Sequence, residues 1–418
     1  MPFSRRSAVS IVVFVLLGVF VGLGYWYESR KATPGQAVNS PSIDVTSGDD
    51  RGPGSLREAI FKATAATGEV TIALKVPKIT LASTLPPLAN AAGIRVVADE
   101  HGTEIDASAL PAGAVLDVSG PNISIEGVRI PSCKETGIVL RAERFKLQTT
   151  SIENCDVGID VAENADQLLL ERNHFAANRV GVRFAASNKN ALVVKNEFSG
   201  HRDAGIWAVR SEPDKRGGAI SIRDNRFNKE RIGILSANVS LIMERNALLD
   251  SREAAMQLMG SGAVARGNRI SRGAAMGIVV ENGQAAVIED NELDGLEAYG
   301  VMLKGSADTV IRNNRIHNSG YGLAFVLGNQ RSPSSAIDNT IIEPRFNGID
   351  VIGDSPILRG NQVLRPRALA LKITDYQPEG GGEKVRAVPF LEGNNFSLGA
   401  ATVAAGDAKP SAGGVVQR

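Results

Sequence analysis

A stack of about a dozen short β-strand coils is the fold class that this sequence predicts, all-β and solenoidal. Three observations predict it. An asparagine recurs at Asn154, Asn173, Asn196, Asn225, Asn246, Asn268, Asn291, Asn314, Asn339, Asn361 and Asn394, at spacings mostly of 19 to 25 residues. Two places after nearly every one stands an apolar side chain (Phe175, Phe198, Phe227, Leu248, Ile270, Leu293, Ile316), and three places before, usually another (Leu170, Val193, Ile222, Met243, Ile288). Eight or nine residues after most of them comes glycine with an aliphatic neighbour, as in Gly181-Val182, Gly233-Ile234 and Gly300-Val301. A period of about 22 is too short for paired helices and suits three short strands joined by turns. Coils stacked about 4.8 Å apart would place each residue on its own kind and merge the apolar columns into one core. Asparagines buried at a turn can bond one another along the axis, and glycine is expected to permit the tight turn before the next strand.

Composition removes competing classes. Lys and Arg number 46 against 45 Asp and Glu, which argues against a general nucleic-acid binder, and 43% hydrophobic residues exclude a disordered polar chain. Two cysteines exclude a disulfide framework and a multi-cysteine metal protein. Cys133 and Cys155 lie one coil apart at nearly the same turn, a separation that suits a disulfide in an oxidising compartment, with stacked free thiols as the alternative.

Residues 1–8 carry Arg5 and Arg6 and read as a cytoplasmic lead; residues 9–27 form an unbroken apolar stretch ending in Tyr25, Trp26 and Tyr27. About 20 apolar residues span a bilayer, so one transmembrane helix is expected there, in the inner membrane, with the C-terminal body in the periplasm. Secretion after cleavage of a signal segment is the alternative. Residues 28–42 read as a linker, 43–130 as the cap and first coils, 131–397 as the repeats and 398–418 as a disordered tail. Within the cap, Ser55 and Glu58 form a capping box, and Leu56, Ala59, Ile60 and Ala63 share one helical face. A short helix here would cover the open end of the first coil, as a solenoid requires.

These repeats resemble those of right-handed parallel β-helix proteins, pectate-lyase-like and single-stranded, an architecture shared by pectate lyases, mannuronan C5-epimerases and related carbohydrate-active proteins. The segment Val45-Thr46-Ser47-Gly48-Asp49-Asp50, continuing through Gly54-Ser55-Leu56-Arg57-Glu58-Ala59-Ile60, resembles the start of many exported members. The resemblance implies a polysaccharide partner and a site on the strand after each glycine, where lyases gather carboxylates, often around calcium, beside a Lys or Arg base. Asn347-Gly348-Ile349-Asp350 resembles the start of the epimerase stretch G-x-D-P-H-D; Asp350 matches, whereas Val351 and Ile352 stand where proline and histidine would.

Outward positions of that strand form two columns. The first runs Asp160, Arg183, Trp207, Leu235, Gln257, Val279, Met302, Ala324, Asp350, Lys372, and the second includes Met259, Glu281, Lys304, Val326 and Ile352. No cofactor is expected; calcium stays open as an alternative, unsupported by any dense carboxylate cluster, and His101, His174, His201 and His317 fall at offsets that make no metal site. Glu281, Lys304 and Asp350 are the candidate catalytic residues; Trp207, Gln257, Asp160 and Arg183 are the candidate substrate contacts. Longer connections at 210–218 and 328–335 would flank a saddle with an apolar floor of Leu235, Met259, Val279, Met302 and Val326. That floor would equally fit a protein partner in an inner-membrane or envelope complex, which makes a non-catalytic scaffold the second reading. Arg223, Glu244, Arg266, Glu289 and Arg312, and likewise Arg269, Glu292 and Arg315, alternate in sign over successive coils and should act as register-fixing ladders.

Overall fold

The computed structural model describes residues 40–396 apart from 214–217, 261, 274–275 and 380–381, together with the strand Val403–Ala405. Each repeat contributes three short strands, one to each of three parallel sheets of 15, 14 and 13 strands. One coil shows the plan: Leu169–Glu171 joins sheet 1, His174–Ala176 sheet 2 and Val180–Phe184 sheet 3. The expected solenoid is present throughout. Among the described residues no helix is long and apolar enough to cross a membrane, and the expected span at 9–27 lies outside them.

The asparagine column runs along the turn between sheets 1 and 2. The Asn173 N–H donates to Asn196 Oδ1 (2.9 Å), and Asn173 Nδ2 donates to the Leu147 carbonyl (3.0 Å) and to Asn196 Oδ1 (3.0 Å). The same pattern passes through Asn225, Asn246, Asn268, Asn291, Asn314, Asn339 and Asn361 to Asn394. Asn154 does not belong to it. Thr150 holds the ladder position in that coil, its N–H donating to Asn173 Oδ1 (3.0 Å), whereas Asn154 lies one strand further on. This displacement is why Asp156, two residues after Asn154, broke the apolar pattern.

Glycine's part also differs from expectation. The residue before each ladder asparagine takes the left-handed turn, usually without being glycine, as at Arg172 (φ 55°), Asp224 (φ 55°) and Asn313 (φ 54°); glycine stands there only at Gly267, Gly360 and Gly393. The recurring glycine at the start of sheet 3 instead permits close approach between coils: a Cβ on Gly181 would lie 2.5 Å from the Gly205 carbonyl oxygen. Ala255 fills the same position within the run, and Val115 and Ala370 fill it in the coils at either end, so the glycine is confined to the inner coils with one exception.

The helix α1 (Leu56–Ala65) caps the first coil and buries Leu56, Ala59, Ile60 and Ala63. Ser55 Oγ accepts from the Glu58 N–H (3.3 Å), and the Glu58 carboxylate accepts from the Gly54 N–H (2.7 Å). At the other end, Val403–Ala405 pairs in parallel with Leu371–Thr374 and extends sheet 3, so the segment expected to be a disordered tail contributes a strand. Cys133 and Cys155 are joined by a disulfide with Cα atoms 4.7 Å apart. On sheet 1, Glu244 is held by Arg223 (3.5 Å) and Arg266 (3.6 Å), and Glu289 by Arg266 and Arg312. Arg269 pairs with Glu292 (2.7 Å) on sheet 2. These ion pairs are satisfied within the solenoid.

Candidate functional site on the outer face of sheet 3

The first outward column is continuous in register from Asp160 through Arg183, Trp207, Leu235, Gln257, Val279, Met302, Ala324 and Asp350 to Lys372. Its upstream part is engaged with itself. Arg183 donates to both carboxylate oxygens of Asp160, at 2.8 and 2.6 Å. Trp207 lies against a small outer hydrophobic cluster of Ala204, Ile232 and Leu235, with Val209 and Met259 beside it. Trp207 is thus half-buried against this cluster. Leu235 (6% exposed) and Val279 (1%) are buried although they point outward, so the apolar floor expected to be open to a partner is closed there. Gln257 stands between them and makes no side-chain hydrogen bond among the described residues.

Glu281 and Lys304 are register partners, yet no ion pair joins them among the described residues. They also lie away from Asp350. Strand pairing places Lys304 two coils and Glu281 three coils upstream, roughly 10 and 14 Å at one strand spacing per coil. The three expected catalytic residues are thus on one face without forming one site. Among the described residues no three His, Cys, Asp or Glu side chains gather as a metal-holding group.

The downstream part holds a cluster that column reasoning missed. Tyr299 and Tyr321 are register partners at the starts of the strands Tyr299–Lys304 and Tyr321–Val326, and their rings stack with centroids 4.6 Å apart. The Phe346 N–H donates to the Gly320 carbonyl (2.8 Å), which sets Phe346 beneath Tyr321; these rings stack at 5.0 Å. Phe346 is 50% exposed. Asp350 follows in the same coil on Ile349–Ile352, with Lys372 directly below it on Leu371–Thr374. Asn347 fixes the carboxyl: its Nδ2 donates to Asp350 Oδ1 (2.7 Å), while its Oδ1 accepts from the Leu369 N–H (3.2 Å).

Burial pushes the Asp350 pKa above the ordinary carboxylate value, outweighing the Asn347 hydrogen bond and the Lys372 charge that pull it down. Burial likewise raises the Tyr299 phenol, helped by the charges of Asp350 and Tyr321. The arrangement offers an aromatic surface, a carboxyl biased toward its proton-holding form and an exposed lysine. Tyrosine just before the strand glycine in two consecutive coils, followed by phenylalanine two residues before it in the next, was the available sequence signal.

Fold and face together define a right-handed parallel β-solenoid with an internally satisfied upstream face and an aromatic, titratable downstream one. The chain belongs to the family described as right handed beta helix region, whose model matches residues 90–216 and 214–363. Among solved structures it is similar to the catalytic unit of a thermostable GH87 α-1,3-glucanase from Streptomyces thermodiastaticus strain HF3-3, with 15% identity and a TM-score of 0.53 over 91% of this chain and 72% of that one. It is also similar to PfbA, a surface adhesin of Streptococcus pneumoniae, with 14% identity and a TM-score of 0.54 over 82% of this chain and 94% of that one. At such identities the likeness is one of fold. No curated protein matches the sequence.

Proposed function

We propose that the protein is an exported β-helix, tethered to the inner membrane through residues 9–27, that binds a polysaccharide on the downstream outer face of sheet 3. The observation that carries this reading is the Tyr299–Tyr321–Phe346 stack beside Asp350 and Lys372. Sugar rings present apolar C–H faces and polar edges, so they are recognised by aromatic surface with a few placed polar groups, and this face supplies both. Asp350, held toward its protonated form, is also the group on this face suited to donate a proton in lyase- or epimerase-type chemistry. In this reading Glu281 and Lys304 extend the binding face and do not share a chemical step with Asp350.

The test is a glycan array probed with the full chain in detergent micelles. Retention of at least one polysaccharide, weakened by Tyr321→Ala, is the expected result; a chain that binds none of the array overturns the reading. Membrane tethering is checked separately, by retention of the full chain in the membrane fraction after alkaline carbonate washing and its release when residues 1–30 are deleted.

A further inference from the structure

We propose that Asn178, His201, Glu230 and Ser251 form a buried proton latch at the turn between sheets 2 and 3. It is closed while Glu230 holds a proton toward Ser251, and it opens when alkali removes that proton. The latch lies in the core and does not depend on the polysaccharide reading.

In five successive coils, the residue two places after the sheet 2 strand is buried at this turn: Cys155, Asn178, His201, Glu230 and Ser251. Gly273 holds the position in the next coil and ends the file. His201 and Glu230 are fully buried. The imidazole fits because Gly181 lies against it, where a Cβ would come 2.9 Å from His201 Nε2.

Hydrogen bonding fixes which atoms carry protons. Asn178 Oδ1 accepts from the Cys155 N–H (2.8 Å), and Asn178 Nδ2 donates to the Ile152 carbonyl (3.0 Å). Turning the amide over would lose both bonds. The same Nδ2 lies 3.3 Å from His201 Nε2, which must therefore be the bare, accepting ring nitrogen. The ring proton is then on Nδ1 and is donated to Glu230 Oε2 (2.9 Å), which also accepts from the backbone N–H of His201 (3.0 Å). His201 is thus neutral and cannot balance a charge on Glu230.

Nothing else neutralises Glu230. Among the described residues no Lys or Arg pairs with it. Arg252 Nη2 donates to the His201 carbonyl (2.9 Å), and Arg231 is held by Glu253 (2.7 Å) and Asp203 (3.8 Å). Arg179 is held by Asp156 (2.6 Å) and Asp203 (2.9 Å), Asp250 faces Arg272 (3.6 Å), and Arg202 and Lys229 are exposed. An ionised Glu230 would be a solitary charge in a dry core, among the costliest states a protein can hold. Glu230 Oε1 and Ser251 Oγ are both buried without a partner. A proton on Oε1, with Ser251 Oγ accepting, satisfies both atoms and removes the charge. The serine hydroxyl donating to a carboxylate would satisfy both atoms and leave the charge in place.

The folded chain therefore keeps a proton that an unfolded glutamate loses at about pH 4. Its contribution is fully present in acid and is lost as pH rises far enough to strip the buried group. The carboxylate left behind must then reach water, which opens the turn at the starts of the strands Ala204–Val209 and Ile232–Ala237.

Glutamine copies the protonated acid: its carbonyl can accept both His201 hydrogens and its amide can donate to Ser251. Glu230→Gln, in the full chain in micelles, should therefore melt within about 2 °C of the parent at neutral pH. At about pH 9 the amide hydrogens of His201, Arg231 and Arg252 should exchange about 10-fold faster in the parent than in this variant, with no difference at about pH 6. Infrared spectra at neutral pH should show one protonated-carboxyl band in the parent that the variant lacks. Nitrogen NMR of the parent, with labelled histidine and His201→Gln to assign the signal, should show a neutral ring protonated at Nδ1. A doubly protonated His201 ring overturns the latch, since the pair is then an ion pair. So does a Glu230→Gln variant that melts well below the parent at neutral pH, or one whose amides exchange as fast as the parent's in alkali.

Discussion

From Asp160 to Met259, the outer face of sheet 3 satisfies its own chemistry: Arg183 clamps Asp160, and Trp207 closes over Leu235. From Tyr299 to Lys372, the same sheet leaves the aromatic end at Phe346 half-exposed. The backbone scaffold is shared, because the ladder that Thr150 opens runs through asparagines from Asn173 onward in the coils of both stretches. The contrast therefore lives in side chains alone. A solenoid stabilises each coil through its neighbours, so the downstream stretch can leave a ring half-exposed without losing its fold. Substitutions should consequently act on stability upstream and on binding downstream.

The harshest way to break this contrast is Leu235→Asp. It places a carboxylate in the outer cluster with no partner, and should cost about 3 kcal/mol or more. Tyr321→Asp, at a half-buried position, should cost about 1 kcal/mol. Denaturant unfolding measures both; equal losses would remove the distinction between the two stretches.

The crossed pair Trp207→Ala and Phe346→Ala sharpens it. Trp207→Ala loses burial in the outer cluster, about 2 kcal/mol, and should leave glycan affinity unchanged. Phe346→Ala removes a half-exposed ring, so stability should hold within about 0.5 kcal/mol while affinity falls about 10-fold. Melting curves and calorimetric titration on the same two preparations give the comparison directly.

Much of this geometry is legible in the sequence because the period is strict. The register from Asp160 to Lys372 follows from counting after each glycine, and the capping helix from Ser55, Glu58 and four apolar positions. What escaped has identifiable physical causes. Asn154 looks like a ladder residue by type, but the chain there uses Thr150, and only hydrogen bonding separates the two. Leu235 and Val279 point outward and yet are covered by neighbouring side chains, which alternation along a strand does not reveal. Phe346 stands two residues before its glycine instead of one, because Asn347 is inserted to hold Asp350, and the aromatic column is hidden by that offset. Glycine was assigned to the turn, where φ is in fact carried by residues such as Arg172, whereas its requirement lies in the contact between coils.

Titration should separate a binding-face carboxyl from a structural one. Burial raises Asp350 above its unfolded pKa, so the native state holds the proton more firmly than the unfolded chain does. Its contribution is fully present below about pH 4 and is lost as pH rises through the folded value. Asp350→Asn should therefore be more stable than the parent near neutral pH, by about 1 kcal/mol, with the gain vanishing at low pH. Asp50 in the cap behaves oppositely. Burial raises it, but hydrogen bonds from Ser83 and Arg57 outweigh this and hold it at about 2. Its contribution is present above about pH 4 and is lost as pH falls toward 2. Thermal melts between pH 2 and pH 8 on the parent, Asp350→Asn and Asp50→Asn should show slopes of opposite sign.

The smallest effect probes the two charge pairs that sequence alone treats as equivalent. Asp160–Arg183 and Glu281–Lys304 both face each other across one strand spacing. Only the first closes, through two parallel hydrogen bonds that fix the planar guanidinium against the carboxylate. Partial exposure on both sides screens it, so a double-mutant cycle to alanine should give a coupling of about 0.5–1 kcal/mol. Glu281–Lys304 should give about 0.2 kcal/mol or less, because a flexible lysine held by no second contact gains little from a solvated carboxylate. Raising salt to about 1 M should shrink the first coupling and leave the second unchanged. If the two couplings were equal, alternation of charge would by itself be enough to stabilise this face. Bidentate geometry would then lose its place as what separates the upstream half from the downstream one.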